Sequence, residues 1–137
     1  MRELNNIILH CSATEEGQNI GADIIRRWHI DGNGWSDIGY HFVIRIDGTI
    51  ERGRDIEKVG AHVKGYNLDS IGICYIGGLR NGDPADTMSE AQELALLELV
   101  KAIRTLFGYM PITGHNEYAK KACPSFNVQS KYGFLNT

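Results

Sequence analysis

Long apolar runs are missing from this chain of 137 residues. The N-terminal apolar stretch, Ile7 to Leu9, is far too short for the h-region of a signal peptide, and Glu15 and Glu16 follow it closely. No segment approaches the ~18 apolar residues of a membrane-spanning helix. The expectation is a soluble chain made in the cytoplasm without a signal peptide, with no membrane as partner. Positive charge is also short: 14 Lys and Arg stand against 17 Asp and Glu, a net charge of −3. That excludes the broad basic field that draws proteins to nucleic acid, leaving only local pairs such as Lys120 and Lys121. Cysteine is scarce as well. Cys11, Cys74 and Cys123 are odd in number, widely spaced and without a C-x-x-C pair, which argues against a disulfide framework. Free or metal-bound thiols fit better.

What is present reads as one globular domain. A composition of 42% hydrophobic and 23% charged residues is that of a folded protein, and this length is one domain by the usual size prior. Leu4 to Leu9 reads as a short buried strand ending at His10. Asn19 to Ile30 has helical spacing, with Ile20, Ile24 and Trp28 on one face, and the glycines of "DGNGW" stop it. "GYHFVIRIDGTIERG" reads as a hairpin in which Asp47-Gly48 favours a tight two-residue turn. In its first strand Tyr40, Phe42 and Ile44 should share one face, and His41, Val43 and Arg45 the other. Ser70 to Gly78 is the apolar run of a central strand buried on both faces. Ser89 and Gln92 have capping-box spacing ahead of a helix reaching about Phe107, with Leu96, Val100, Ile103 and Phe107 on its core face and Gly108 as its stop. "PITGH" is a last short strand leading to His115. The pattern predicts an α/β class: a mixed central β-sheet flanked by helices.

Three residues have the chemistry of metal ligands: His10 at the end of the first strand, His115 just past the last, and Cys123 eight residues later. Two histidines and one cysteine on zinc leave a fourth tetrahedral position open, the arrangement of a catalytic site. Spacing alone leaves an alternative open, in which Cys123 is a small buried hydrophobe and the histidines are satisfied loop residues.

The stretches "ILHCSAT", "GYHFVIRIDGTIERGRD", "VGAHVKGYNLDSIGICYIGG" and "GHNEYAKKACPSF" together resemble the zinc-dependent N-acetylmuramoyl-L-alanine amidases of the amidase-2 group, to which peptidoglycan recognition proteins are more distantly similar. The likeness runs from about Asn5 to Asn127, with the blocks in the family's order. It implies an amidase-2-like fold with a zinc site at the strand ends, and a single catalytic domain over residues 1–137. It implies one zinc per chain on His10, His115 and Cys123, with Tyr40 and Lys121 in catalytic roles. His62 and Asn67 match a stretch that borders the family's substrate cleft. The implied reaction cuts the amide between N-acetylmuramic acid and L-alanine in bacterial peptidoglycan. A chain of this kind without a signal peptide fits a monomeric phage or prophage endolysin, made in the bacterial cytoplasm and acting on the wall after release or export.

Other residues get plainer readings. Cys11 should face away from a metal held by its neighbour His10, because adjacent strand residues point to opposite faces. Cys74 reads as core, His41 as a packed strand residue and His29 as solvated. Glu51, Arg52 and Arg54 read as a solvated edge, and Glu117 as a candidate carboxylate behind the metal site. Two rival classes remain: a peptidoglycan-binding module without catalysis, against which Cys123 argues, and a cysteine peptidase using Cys11 or Cys123, for which no local signature is present.

Overall fold

The computed structural model describes all 137 residues. In chain order, strand β1 (Asn6–Cys11) and the short β2 (Thr14–Glu15) precede helix α1 (Ala22–Arg27), which runs on into a π-helical turn (Trp28–Gly32). Strands β3 (Phe42–Ile44), β4 (Ile50–Arg52), β5 (Ser70–Tyr75), β6 (Gly78–Arg80) and β7 (Asp83–Pro84) follow. Helix α2 (Glu90–Phe107), strand β8 (Ile112–Gly114) and helix α3 (Val128–Tyr132) complete the chain. Five strands form a mixed sheet in the order β4-β3-β5-β1-β8, and β2, β6 and β7 form a small second sheet. In the main sheet only the β3–β4 pairing is antiparallel.

Strand alternation divides the core. Ile7, Leu9 and Cys11 of β1 and Ile71, Ile73 and Tyr75 of β5 pack with Leu96, Val100 and Ile103 of α2 and Val128 and Tyr132 of α3. On the opposite face, Val43, Cys74 and Ile76 meet Ala22 and Ile25 of α1 and Ile38. Each fully buried Ile or Leu contributes ~1.5–3 kcal/mol by leaving water, so both faces must be covered, and helices on both sides do this. The predicted α/β class is the one observed. Cys74 and His41 are buried, and Cys11 lies on the α2 face, away from His10.

Several local expectations need correction. The first helix starts at Ala22, and its buried residues are Ala22 and Ile25, while Trp28 is exposed. The hairpin turn has three residues rather than two: Gly48 N–H bonds Arg45 O, Arg45 N–H bonds Thr49 O, and Gly48 takes φ +89. That is a turn closed by a left-handed glycine, which bulges the strand. Strand β3 begins only at Phe42, so period two does not reach back to Tyr40. Phe42 and Ile44 pack on the α2 side and Tyr40 on the α1 side. Phe107, at the end of α2, is exposed, and Met110 fills the core beyond it. The capping box of Ser89 and Gln92 forms as expected, with each side chain bonding the other's backbone N–H at 3.0 Å.

Candidate active site

Parallel pairing brings distant ligands together. Leu9 of β1 sits opposite Gly114 of β8, so the next residues, His10 and His115, emerge side by side at the C-terminal ends of the strands. Such ends are where α/β sheets carry their sites. The two imidazole rings lie 4.7 Å apart, and His10 Nδ1 is 3.7 Å from Cys123 Sγ. The ligand atoms of His10, His115 and Cys123 all fall within 4.8 Å of one another, a cluster that could hold a metal ion.

The segments bearing these ligands are tied down by polar contacts. Tyr75 OH, at the end of β5, donates to Pro124 O at 2.6 Å, directly after Cys123. Cys11 N–H donates to Cys123 Sγ at 3.2 Å, and Asn116 Nδ2 donates to Phe126 O at 3.0 Å. A Cβ on Gly114 would lie 2.7 Å from Val128 Cγ2, so only glycine lets α3 pack beneath His115. Glu117 does not back a ligand ring. Its Oε2 accepts Gly114 N–H at 2.6 Å and its carboxylate also takes Gln129 Nε2, so it fixes the strand end instead.

Burial, then the neighbouring His62 and His115, hold His10 well below the ordinary histidine value. Burial and the Lys121 charge lower His115. Both rings are therefore neutral near pH 7, the state a metal requires. The adjacent Cys11 thiol and burial push the Cys123 thiol up. Two neutral imidazoles and a thiol that would give up its proton on binding form a borderline-to-soft donor set that suits zinc.

His115 also lines a cleft of about 470 Å³, together with Trp35, His62, Lys64, Asn67 and Lys121. No carboxylate lines it, so a chain of net negative charge presents a positive cleft beside its candidate metal ligands. A larger groove of about 530 Å³, between α2 and residues 134–135, is lined by no histidine, cysteine or carboxylate, and the chemistry points to the smaller cleft.

Of the residues expected from sequence, Lys121, His62 and Asn67 reach the cleft wall. Asn67 Oδ1 accepts the N–H groups of His62 and Val63 at 2.9 and 2.8 Å, which shapes the loop carrying His62. Tyr40 stands behind His10, with ring centroids 5.0 Å apart, and is not part of the cleft wall. Burial, then the nearby thiols, raise its phenol well above 10, so it keeps its proton. Burial holds His62 down to about 3, with His41 and His115 adding to the effect.

Three of the plainer readings change. His29 is half-buried: its Nδ1 accepts Gly39 N–H at 2.9 Å, and its ring lies 4.8 Å from Trp35 and 5.4 Å from Tyr40. Arg54 donates to the carbonyls of Ile38 and Val59 at 2.8 Å each, and Glu51 caps α1 by accepting Ala22 N–H at 2.9 Å. Arg52 alone of that group is exposed as expected. Sequence reasoning passed over Trp35, Lys64 and Ser70. An aromatic inside the glycine-rich turn "DGNGW" was the available signal for Trp35; Ser70 offered none.

Known proteins match this chain over most of its length. A family model described as N-acetylmuramoyl-L-alanine amidase (Amidase_2) matches residues 1–126. The endolysin of Klebsiella phage KP32 is 43% identical over 129 residues, covering 93% of this chain and 85% of that protein. The solved N-acetylmuramoyl-L-alanine amidase LysC from Clostridium intestinale URNW superimposes with a TM-score of 0.84 at 30% identity, over 99% of this chain and 87% of that one. The ectodomain complex of peptidoglycan recognition proteins LCa and LCx, solved with tracheal cytotoxin bound, gives a TM-score of 0.79 at 27% identity over 96% and 84%. Fold, candidate ligand cluster and similarity agree: the chain belongs to the Amidase_2 family of N-acetylmuramoyl-L-alanine amidases.

Proposed function

We propose that this chain is a zinc-dependent hydrolase that cuts the amide between N-acetylmuramic acid and L-alanine in bacterial peptidoglycan, as a phage or prophage endolysin does. The observation that carries the reading is the cluster of His10, His115 and Cys123 where β1 and β8 end beside a positive cleft. One zinc per chain would be held by those three side chains. Bound there, it would supply a Lewis acid for the scissile carbonyl and lower the pKa of an attacking water toward ~7.

The chain's own residues do the remaining work. Lys121 brings a fixed positive charge to the cleft wall, where the carbonyl oxygen gains negative charge during attack. Tyr40, which keeps its proton and whose ring lies 5.0 Å from that of His10, would offer its hydroxyl as a donor to the reacting groups. Lys64 and Lys121 suit a stem peptide bearing carboxylates, with His62 and Asn67 forming the cleft wall against which it lies. Residues 1–137 act as one catalytic domain, as a monomer that works on the cell wall. No helix is long and apolar enough to cross a membrane.

A cysteine-peptidase reading is disfavoured by two observations. Cys11, although the neighbouring Cys123 thiol lowers it to about 7, is only 3% exposed within the apolar α2 face, and the Cys123 thiol is pushed up rather than down, the reverse of an activated nucleophile. The test is digestion of purified cell walls. A chelator should abolish turbidity loss and added zinc should restore it. Activity that persists in chelator would remove the metal from the reaction.

A further inference from the structure

Behind His10 lies a chain of hydrogen bonds that ends on a backbone carbonyl. His10 Nε2 is 2.8 Å from His62 Nδ1, His62 Nε2 is 3.3 Å from Ser70 Oγ, and Ser70 Oγ is 2.7 Å from Tyr66 O. A carbonyl can only accept, so the Ser70 hydroxyl spends its proton on Tyr66. Ser70 Oγ then accepts from His62 Nε2–H. A neutral imidazole with its hydrogen on Nε2 has only a lone pair on Nδ1, so His10 must donate its Nε2–H. That leaves the lone pair of His10 on Nδ1, the atom 3.7 Å from Cys123 Sγ.

We infer that His62 is a positioning residue for the candidate metal ligand His10: together with Ser70 it locks His10 in the tautomer whose free nitrogen faces Cys123. This goes beyond a place on the cleft wall, and it rests on the metal reading above. The packing around the ring is built for it. A Cβ on Gly72 would lie 2.7 Å from His62 Cγ and Cδ2, and one on Gly60 would lie 2.8 Å from His62 Cδ2. Neither glycine has a positive φ, so what each supplies is space. Gly72 sits in the middle of a fully buried strand because the His62 ring lies flat against the sheet there. No buried side-chain nitrogen or oxygen is left without a partner, so the relay is complete. Partners of this kind behind a metal-bound histidine are typically worth ~10–100-fold in metal affinity.

Two readouts test the inference. Nitrogen-15 NMR of the imidazoles in the zinc-free protein should show His10 as a single tautomer with its hydrogen on Nε2. His62→Ala should shift His10 toward a mixture. His62→Asn, whose Oδ1 falls near the position of Nδ1, should restore the single form. In competition against a chromogenic chelator, His62→Ala should bind zinc ~10–100-fold more weakly than wild type. His62→Asn should recover most of that loss, and Ser70→Ala should weaken binding several-fold even if His62→Ala folds poorly. A His62→Ala protein with wild-type zinc affinity and an unchanged His10 tautomer, altered only in KM, would overturn the inference and leave the metal reading standing. Wild-type protein that bound no zinc would overturn the metal reading, and this inference with it.

Discussion

Removing one hydroxyl tests whether the sheet holds the Cys123 segment in place. Tyr75 is fully buried, and its OH donates to Pro124 O at 2.6 Å across 49 residues of chain. Tyr75→Phe keeps the ring, which lies 6.1 Å from Phe126, and deletes only the donor. The Pro124 carbonyl, itself buried, then has lost its partner, and an unsatisfied buried polar group costs about 1–3 kcal/mol. If the segment stays in place, the whole cost appears as lost stability of the zinc-free protein. If the segment relaxes toward water, Cys123 moves with it, and each ~1.4 kcal/mol passed to the metal site weakens zinc binding about tenfold. Urea unfolding of zinc-free and zinc-loaded protein, with chelator competition, separates the two. The expected result is about 1–2 kcal/mol of lost stability without zinc and up to about tenfold weaker zinc binding. A Phe variant matching wild type in both would refute the claim that this bond anchors the segment.

Exchange of the thiols should separate their roles: Cys123→Ser should lose most bound zinc by metal analysis, whereas Cys11→Ser, whose side chain touches Cys123 but lies on the other face of β1 from His10, should keep most of it. Lys121→Ala should retain zinc but lose ~100-fold or more in turnover on cell walls, as removal of a positioned oxyanion donor does; full activity would remove Lys121 from the reaction. His41 is buried, and burial first holds it down from 6.5 to about 4. The unfolded chain therefore takes up this proton first, and stability falls as pH drops from 6.5 through 4, by about 3 kcal/mol for this group. Urea midpoints across that range should show the fall, and His41→Gln should make it shallower without removing it, because His10, His62 and His115 are also held below 6.5.

Some of this was legible because it is written locally. His10 follows an apolar run, Ser89 and Gln92 stand at cap spacing, and Ser70 to Gly78 has no polar period, so strand, helix start and buried strand follow from neighbours in sequence. The metal candidates were legible mainly through resemblance, since spacing alone left Cys123 as a plausible core thiol. What was not legible depends on contacts between distant segments. Glu51 caps a helix 29 residues earlier, which its place in a solvated-looking "IERGRD" does not suggest. The tight turn expected at Asp47-Gly48 lengthened because Gly48 pairs with Arg45 rather than lying opposite Asp47 in a two-residue loop. The first helix turned its Ile25 side inward because Ile38, Val43 and Ile76 form the surface that receives it. Glu117 beside His115 suggested a carboxylate behind the metal, but the nearer unpaired group was the N–H of Gly114.

The most direct test of the central claim is mass spectrometry of peptidoglycan digested by the zinc-loaded protein. The account predicts intact glycan strands and released stem peptides that carry a new free amino group on L-alanine. New reducing sugar ends, or cuts between residues of the stem peptide, would contradict it even with zinc bound.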